Sequence, residues 1–341
     1  MPTSRILVLG PAWVGDMVLA QSLFKTLKAE QPDVIIDVAA PGWTMPLLER
    51  MPEVNGAIAL PFRHGQLALM ERIRFGKSLK NRGYTQAILL TNSLKSAILP
   101  FAAGIPRRTG FLGEYRYGLL NDIRPLDKSK LPRTVDRFVG LGLERNQHQS
   151  ETSPLPCLIA NTDNALQALN KLRHDSPKTQ VLGLCPGAEY GVAKRWPAEY
   201  YAEVARQALS RDWEVWLFGS DKDVPVTAQI NQLAGEKCLD LGGKTQLGEA
   251  IDLMSLTSVV VSNDSGLMHV AAALDKPLVA VFGSSDPYHT PPMSTKSDIL
   301  YLKLECSPCF ERECPLGHLN CLRQLTPEIV MNKLPLNATR Q

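Results

Sequence analysis

The sequence predicts an α/β protein made of two Rossmann-like domains, each a doubly wound parallel sheet, facing a central cleft. Three observations predict it. Apolar strand-like runs alternate with helical patterns through the first half, a polar break bearing Pro154 and Pro156 follows at Gln147–Leu158, and the alternation then restarts. Such alternation is the pattern of a parallel sheet with helices on both faces. A chain of 341 residues suits two domains of roughly 150 residues each. The expected division is 1–155 and 156–341.

In the first half, strands are expected at Arg5–Leu9, Ile35–Ala39, Ala57–Leu60 and Ala87–Leu90, with helices at Asp16–Glu30, Thr44–Arg50 and Gln66–Arg82. In the second half, strands are expected at Val181–Leu184, Glu214–Phe218, Cys238–Leu241, Val259–Val261 and Leu278–Phe282. The helices between them fall at Ala198–Ser210, Val224–Ala234, Leu247–Ser255 and Ser265–Leu274.

Composition narrows the function classes. Hydrophobic residues make up 44% and charged residues 21%, as in a globular enzyme. A net charge of +3 is too small for general nucleic-acid binding. No apolar run approaches the roughly 18 residues that span a bilayer. Pro11 and Asp16 interrupt the apolar start, which reads as a core strand rather than a signal peptide, and the expected location is the cytoplasm. Charge is uneven, however: eight basic residues and four acids between Arg107 and Arg137 leave +4 in that tract. It is either a solvated loop or a surface for an anionic acceptor or membrane face.

Three segments carry chemistry. The first is Ser262-Asn263-Asp264-Ser265-Gly266-Leu267-Met268-His269, where a β-branched run stops at a turn and a helix opens. Asp264 and Ser265 suit a helix N-cap, Gly266 admits close approach to the backbone, and His269 lies one turn after Ser265 on the same rim. Free N–H groups and the positive dipole end make such a turn an anion site. The second is Gly10-Pro11-Ala12-Trp13-Val14-Gly15-Asp16 after the first strand. It lacks the Lys-Ser/Thr of a phosphate loop and the G-x-G-x-x-G spacing, leaving Asp16 as either a helix cap or a general base. The third is Pro186-Gly187-Ala188-Glu189-Tyr190-Gly191 with Ala193-Lys194-Arg195-Trp196-Pro197, a glycine-punctuated loop that brings Lys194 and Arg195 to the carboxyl edge of the second sheet. Cations there can neutralise a leaving diphosphate.

Together these segments resemble the ADP-heptose:lipopolysaccharide heptosyltransferases of Gram-negative bacteria, and most closely the branch that adds the second heptose. Met51-Pro52-Glu53-Val54-Asn55, Asn92-Ser93, Lys95-Ser96-Ala97, Ala103-Gly104-Ile105-Pro106 and Arg116-Tyr117-Gly118-Leu119-Leu120-Asn121-Asp122 match as well, so the resemblance runs to about Pro292. The resemblance implies a fold of GT-B type, with an acceptor on the first domain and a nucleotide-sugar on the second. It further implies transfer of L-glycero-D-manno-heptose from ADP-heptose, with inversion, onto the first heptose of the Kdo2-lipid A inner core. Asp16 matches the base, Lys194 the diphosphate contact, and Asp264, Ser265, Gly266 and His269 the donor turn; Gly187 and Arg195 belong to the donor loop. Asp221 is expected on the ribose diol. The acceptor is lipid-linked, so peripheral contact with the inner face of the cytoplasmic membrane is expected, with no nucleic acid as partner. No cofactor beyond the donor is expected, since no D-x-D pair is read beside the donor loop. The rival readings are the first-heptose enzyme, another two-Rossmann nucleotide-sugar enzyme, and a non-catalytic glycan- or nucleotide-binding protein.

Cys306-x2-Cys309-x4-Cys314-x6-Cys321, with His318 inside it, stands outside this account. Its ligand types suit a structural zinc, its spacing departs from the common zinc patterns, and free or redox-active thiols are the other reading.

Overall fold

The computed structural model describes residues 4–62, 65–145, 147 and 152–335; of the expected linker, 148–151 lie outside the described residues. The chain forms two compact units, Met1–Leu158 and Ile159–Gln341.

The first unit holds β1 (Arg5–Leu9), β2 (Ile35–Pro41), β3 (Gly56–Leu60), β4 (Gln86–Leu89), β5 (Arg107–Phe111) and β6 (Asp122–Arg124). They form one parallel sheet in the order β3-β2-β1-β4-β5-β6. Central strands of such a sheet are covered on both faces and read as continuous apolar runs. Thus Ile6, Leu7, Val8 and Leu9 of β1 are all buried. Helix Val14–Glu30 follows β1 and packs on helix Thr134–Gly142. The close approach requires Gly142, where a Cβ would stand 2.4 Å from Leu23 Cδ1.

The second unit holds β7 (Val181–Cys185), β8 (Glu214–Leu217), β9 (Leu239–Asp240), β10 (Val259–Asn263), β11 (Leu278–Val281) and β12 (Ser297–Leu300). Their order is β12-β11-β10-β7-β8-β9. Numbered from its own first strand, this repeats the order of the first unit. The order reverses between β1 and β4 in one sheet and between β7 and β10 in the other. In open α/β sheets that switch point, at the carboxyl ends of the strands, is where ligands bind.

The basic tract is not a solvated loop, because it contains β5, β6 and helix Thr134–Gly142. Nor does it present a continuous cationic surface. Arg107, Arg124 and Arg145 each donate to Asp122, at 3.0, 3.0 and 3.1 Å. Arg108 donates to the carbonyls of Leu119 and Ile105. Fully buried Arg116 donates to the Thr91 and Phe111 carbonyls and to Asn92 Oδ1, while Arg133 pairs with Asp136 at 2.7 Å. Lys128 and Lys130 are the tract's exposed lysines. Guanidinium groups here close turns and satisfy carbonyls, which is their commonest way of being buried.

Asp122 is the hub. Burial pushes its carboxyl up, but hydrogen bonds from Arg124, Thr109 and Arg107 outweigh burial and hold it well below the usual carboxylate range. A carboxyl lowered in the folded state stabilises fully above about pH 4 and progressively less as pH falls below it. Asp122→Asn, which strands guanidinium groups without their counter-charge, should cost about 3 kcal/mol at pH 7. The gap between denaturant melts of the two proteins should narrow progressively as pH falls below about 4; a constant gap would show that Asp122 acts through shape rather than charge.

Candidate functional site

Two switch-point loops of the second unit meet through Asn263, the last residue of β10. Its fully buried carboxamide accepts from the Trp196 N–H at 2.9 Å and the Tyr201 hydroxyl at 3.1 Å, and donates to the Pro186 carbonyl at 2.6 Å. This ties the end of β10 to the loop after β7 and to the entry of helix Ala198–Leu209. Trp196 is itself anchored, its indole N–H donating to the Leu325 carbonyl at 2.7 Å.

On that frame Lys194, at the end of the short turn Val192–Lys194, reaches Asp264 across the switch point. Lys194 Nζ lies 2.5 Å from Asp264 Oδ2, with side-chain exposures of 18% and 6%. Ser285, just after β11, donates to the same oxygen at 2.5 Å. The sequence singled out both charges but not their pairing, nor Ser285. Asp264 is therefore a partner of Lys194 rather than the cap of the following helix. Ser265 is the N-cap of helix Gly266–Ala273, and its side chain makes no capping hydrogen bond. Ser265 and Gly266 are half-buried at the helix mouth.

His269 does not share an open rim with Ser265, because the helix turns its ring inward to 5% exposure. Burial pulls its imidazole down to about 4; Asp264 opposes the shift and Lys194 adds to it. Among the described residues four buried side-chain polar atoms lack a hydrogen-bond partner, and three lie on the segments that follow β7, β10 and β11: Arg195 Nε, His269 Nδ1 in its helix, and Ser284 Oγ. Buried polar atoms are normally satisfied, so their gathering at one sheet edge marks a place suited to a polar ligand.

The loop after β8 differs from the expectation in one respect. A D-x-D pair does stand beside the donor loop, as Asp221-Lys222-Asp223. The inward member is Asp223, which accepts from the Ser220 N–H and hydroxyl at 3.0 and 2.7 Å and lies 3.6 Å from Arg195. Gly187 makes room for it, since a Cβ there would stand 2.5 Å from Asp223 Cγ. Asp221, the residue expected on the ribose, is exposed in the turn Asp221–Asp223.

Asp16 lies in the first unit, half-buried in the first turn of helix Val14–Glu30, where β1 ends at that sheet's own switch point. The dipole of that helix favours its ionised form. The four tail cysteines are free thiols, Cys306 exposed and Cys321 buried. Among the described residues no three His, Cys, Asp or Glu side chains stand together to hold a metal ion.

The sequence model of glycosyltransferase family 9, the heptosyltransferases, matches residues 72–320. The chain is 45% identical to lipopolysaccharide heptosyltransferase 2 of Salmonella typhimurium over 97% of both chains. It is 43% identical to lipooligosaccharide heptosyltransferase 2 of Haemophilus influenzae, over 97% of this chain and 98% of the relative. Among solved structures it matches ADP-heptose lps heptosyltransferase II of E. coli with a TM-score of 0.86 and 42% identity, covering 96% of this chain and 97% of that one.

The lowered His269 value predicts a neutral imidazole throughout the neutral range. Stability should fall as pH drops from about 6.5 towards 4, where the unfolded chain takes up a proton that the folded chain refuses. NMR titration of His269 should show no inflection near pH 6.5; one at the ordinary value would mean the ring is solvated.

Proposed function

The chain belongs to glycosyltransferase family 9, the heptosyltransferases, and on that premise we propose that its donor site is the Lys194–Asp264 switch point of the second unit. The protein is a glycosyltransferase of lipopolysaccharide core biosynthesis that transfers heptose onto the inner core. In the proposed reaction ADP-heptose is the donor and the first heptose of Kdo2-lipid A the acceptor. The observation that carries the donor site is Lys194 held 2.5 Å from Asp264 at the mouth of helix Gly266–Ala273. A cation and the free N–H groups of a helix start sit together there, as an anionic leaving group requires.

The chemistry is a single displacement. The acceptor hydroxyl oxygen bonds to the anomeric carbon, the bond from that carbon to the β-phosphate oxygen breaks, and ADP departs with the electron pair. Asp16 takes the hydroxyl proton, and the reaction inverts the anomeric centre. Lys194 and the helix start stabilise the charge that accumulates on the diphosphate, the point at which electrostatic stabilisation contributes most. Gly187 and Arg195 shape the loop that carries Lys194, Ser265 and Gly266 offer the helix mouth to the diphosphate with buried His269 one turn behind them, and Asp221 is the residue assigned to the ribose diol.

A lipid-linked acceptor requires contact with the inner face of the cytoplasmic membrane. Among the described residues no helix is long and apolar enough to cross it.

The test is turnover of ADP-heptose with Kdo2-lipid A and with its mono-heptosylated form, read by mass spectrometry. Transfer confined to the mono-heptosylated acceptor is expected; transfer to bare Kdo2-lipid A would make this the first-heptose enzyme. Asp16→Asn should leave ADP binding unchanged and lower turnover by roughly 100-fold or more, and normal turnover would remove Asp16 as base. Lys194→Ala should weaken ADP binding roughly tenfold, measured by calorimetry.

A further inference from the structure

The cysteine-bearing tail crosses the donor loops rather than hanging beside them. The Tyr190 hydroxyl donates to the Phe310 carbonyl at 2.6 Å, and the Ala193 N–H donates to the Arg312 carbonyl at 3.0 Å. From the other side, the Phe310 N–H donates to the Ser284 carbonyl at 2.7 Å and the Ser307 hydroxyl to the Gly283 carbonyl at 2.6 Å. Residues 307–312 are thus stitched by backbone to the loop after β7 and to the loop after β11.

Two local features show that the stitching is specific. Gly191 lies so close to the tail that a Cβ would stand 2.4 Å from the Arg312 carbonyl oxygen and 2.8 Å from Arg312 Cα. Phe310 takes a left-handed backbone, φ 57°, which costs a non-glycine residue about 1 kcal/mol or more and reverses the chain just before Arg312.

The outcome is a fixed backbone carrying an exposed guanidinium. The Arg312 guanidinium carbon lies 5.3 Å from the centroid of the Tyr190 ring, and Lys194 Nζ lies 5.1 Å from the same centroid. Lys194 is paired with Asp264. Among the described residues no carboxylate pairs with Arg312, although Glu311 and Glu313 flank it in the chain.

We infer that Arg312 is a second cation of the donor site and contacts the diphosphate of the nucleotide-sugar. The inference rests on the Lys194 loop being that site. A guanidinium offers a planar fork of donors suited to phosphate oxygens. The guanidinium itself lies over the Tyr190 ring, which holds it by cation–π attraction while the residue stays exposed. The backbone stitches hold the Arg312 Cα in place, so the side chain alone has to order when the ligand enters.

Calorimetry with ADP tests it on the full chain. Arg312→Gln, which keeps a polar side chain at the position and removes the charge, should weaken ADP binding roughly tenfold with an unchanged melting temperature. Arg312→Lys should recover part of the loss. Gly191→Ala, which displaces the tail while keeping the charge, should weaken ADP in the same direction. Wild-type affinity in Arg312→Gln, with Lys194→Ala weakened, overturns the role of Arg312 and leaves the donor site standing. Wild-type affinity in both variants means that the donor site itself has been misplaced.

Discussion

The second unit depends on one buried carboxamide. Asn263 ends β10 and, through three hydrogen bonds, fixes the Pro186 carbonyl, the Trp196 N–H and the Tyr201 hydroxyl. Each bond is worth only about 1 kcal/mol net, but leaving its partners buried and unpaired would cost about 1–3 kcal/mol apiece. The same side chain decides where the loop after β7 begins and where the helix after Trp196 starts. Lys194 lies between those two points, so its distance from Asp264 is set by Asn263 before any ion pair forms. A satisfied buried network of this kind gives a rigid, single arrangement, and the charges of the site hang on it.

Both units use the same strand order, and both place their chemically distinctive residues on the loops where that order reverses. The reason is geometric. Neighbouring strands whose connections leave on opposite faces splay their loops apart, which opens a crevice without breaking the sheet. In the second unit Gly187 and Lys194 follow β7, while Asp264 and His269 follow β10, the two strands that flank the reversal. In the first unit Asp16 follows β1. A duplicated scaffold thus supplies two crevices, each with different chemistry.

The central strands, buried on both faces, were the most legible, and the half-buried edge strands β3 and β9 were read from their short apolar runs as well. β1, β7, β10 and β11 are near-continuous apolar runs, and their limits were readable to within a residue or two. The missed strands are edges or neighbours of edges. β5 reads Arg-Arg-Thr-Gly-Phe, and β6 contributes Asp122 and Arg124, so both looked like a charged loop. Helix Leu94–Ala102 was hidden by Pro100. Within the site, residue types were legible but partnerships were not. Lys194 and Asp264 are separated by 70 positions, and nothing local announces which acid a lysine will meet. Asp221 and Asp223 are equally acidic; only the absence of a side chain at Gly187 lets Asp223 turn inward. That glycine was the available signal, as Gly191 was for the tail.

An aspartate at the rim of an anion site is at first sight out of place, and burial resolves it. Lys194 is mostly shielded from water, and an ammonium shielded in this way without a counter-charge is costly. Asp264 therefore lets the lysine be held at the site in the free protein, and the Ser285 hydroxyl shares the carboxylate's charge. At the proposed donor site an incoming diphosphate would then meet a nearly neutral pair rather than a bare cation. Ground-state attraction falls to the helix N–H groups, which Ser265 leaves uncapped, and to exposed cations nearby. In the proposed reaction, as the sugar–phosphate bond breaks and negative charge builds on the departing diphosphate, the balance between Asp264 and phosphate for Lys194 would tip towards phosphate. An ion pair that yields only at that moment favours the transition state over the bound substrate, which is the condition for raising turnover rather than merely tightening binding.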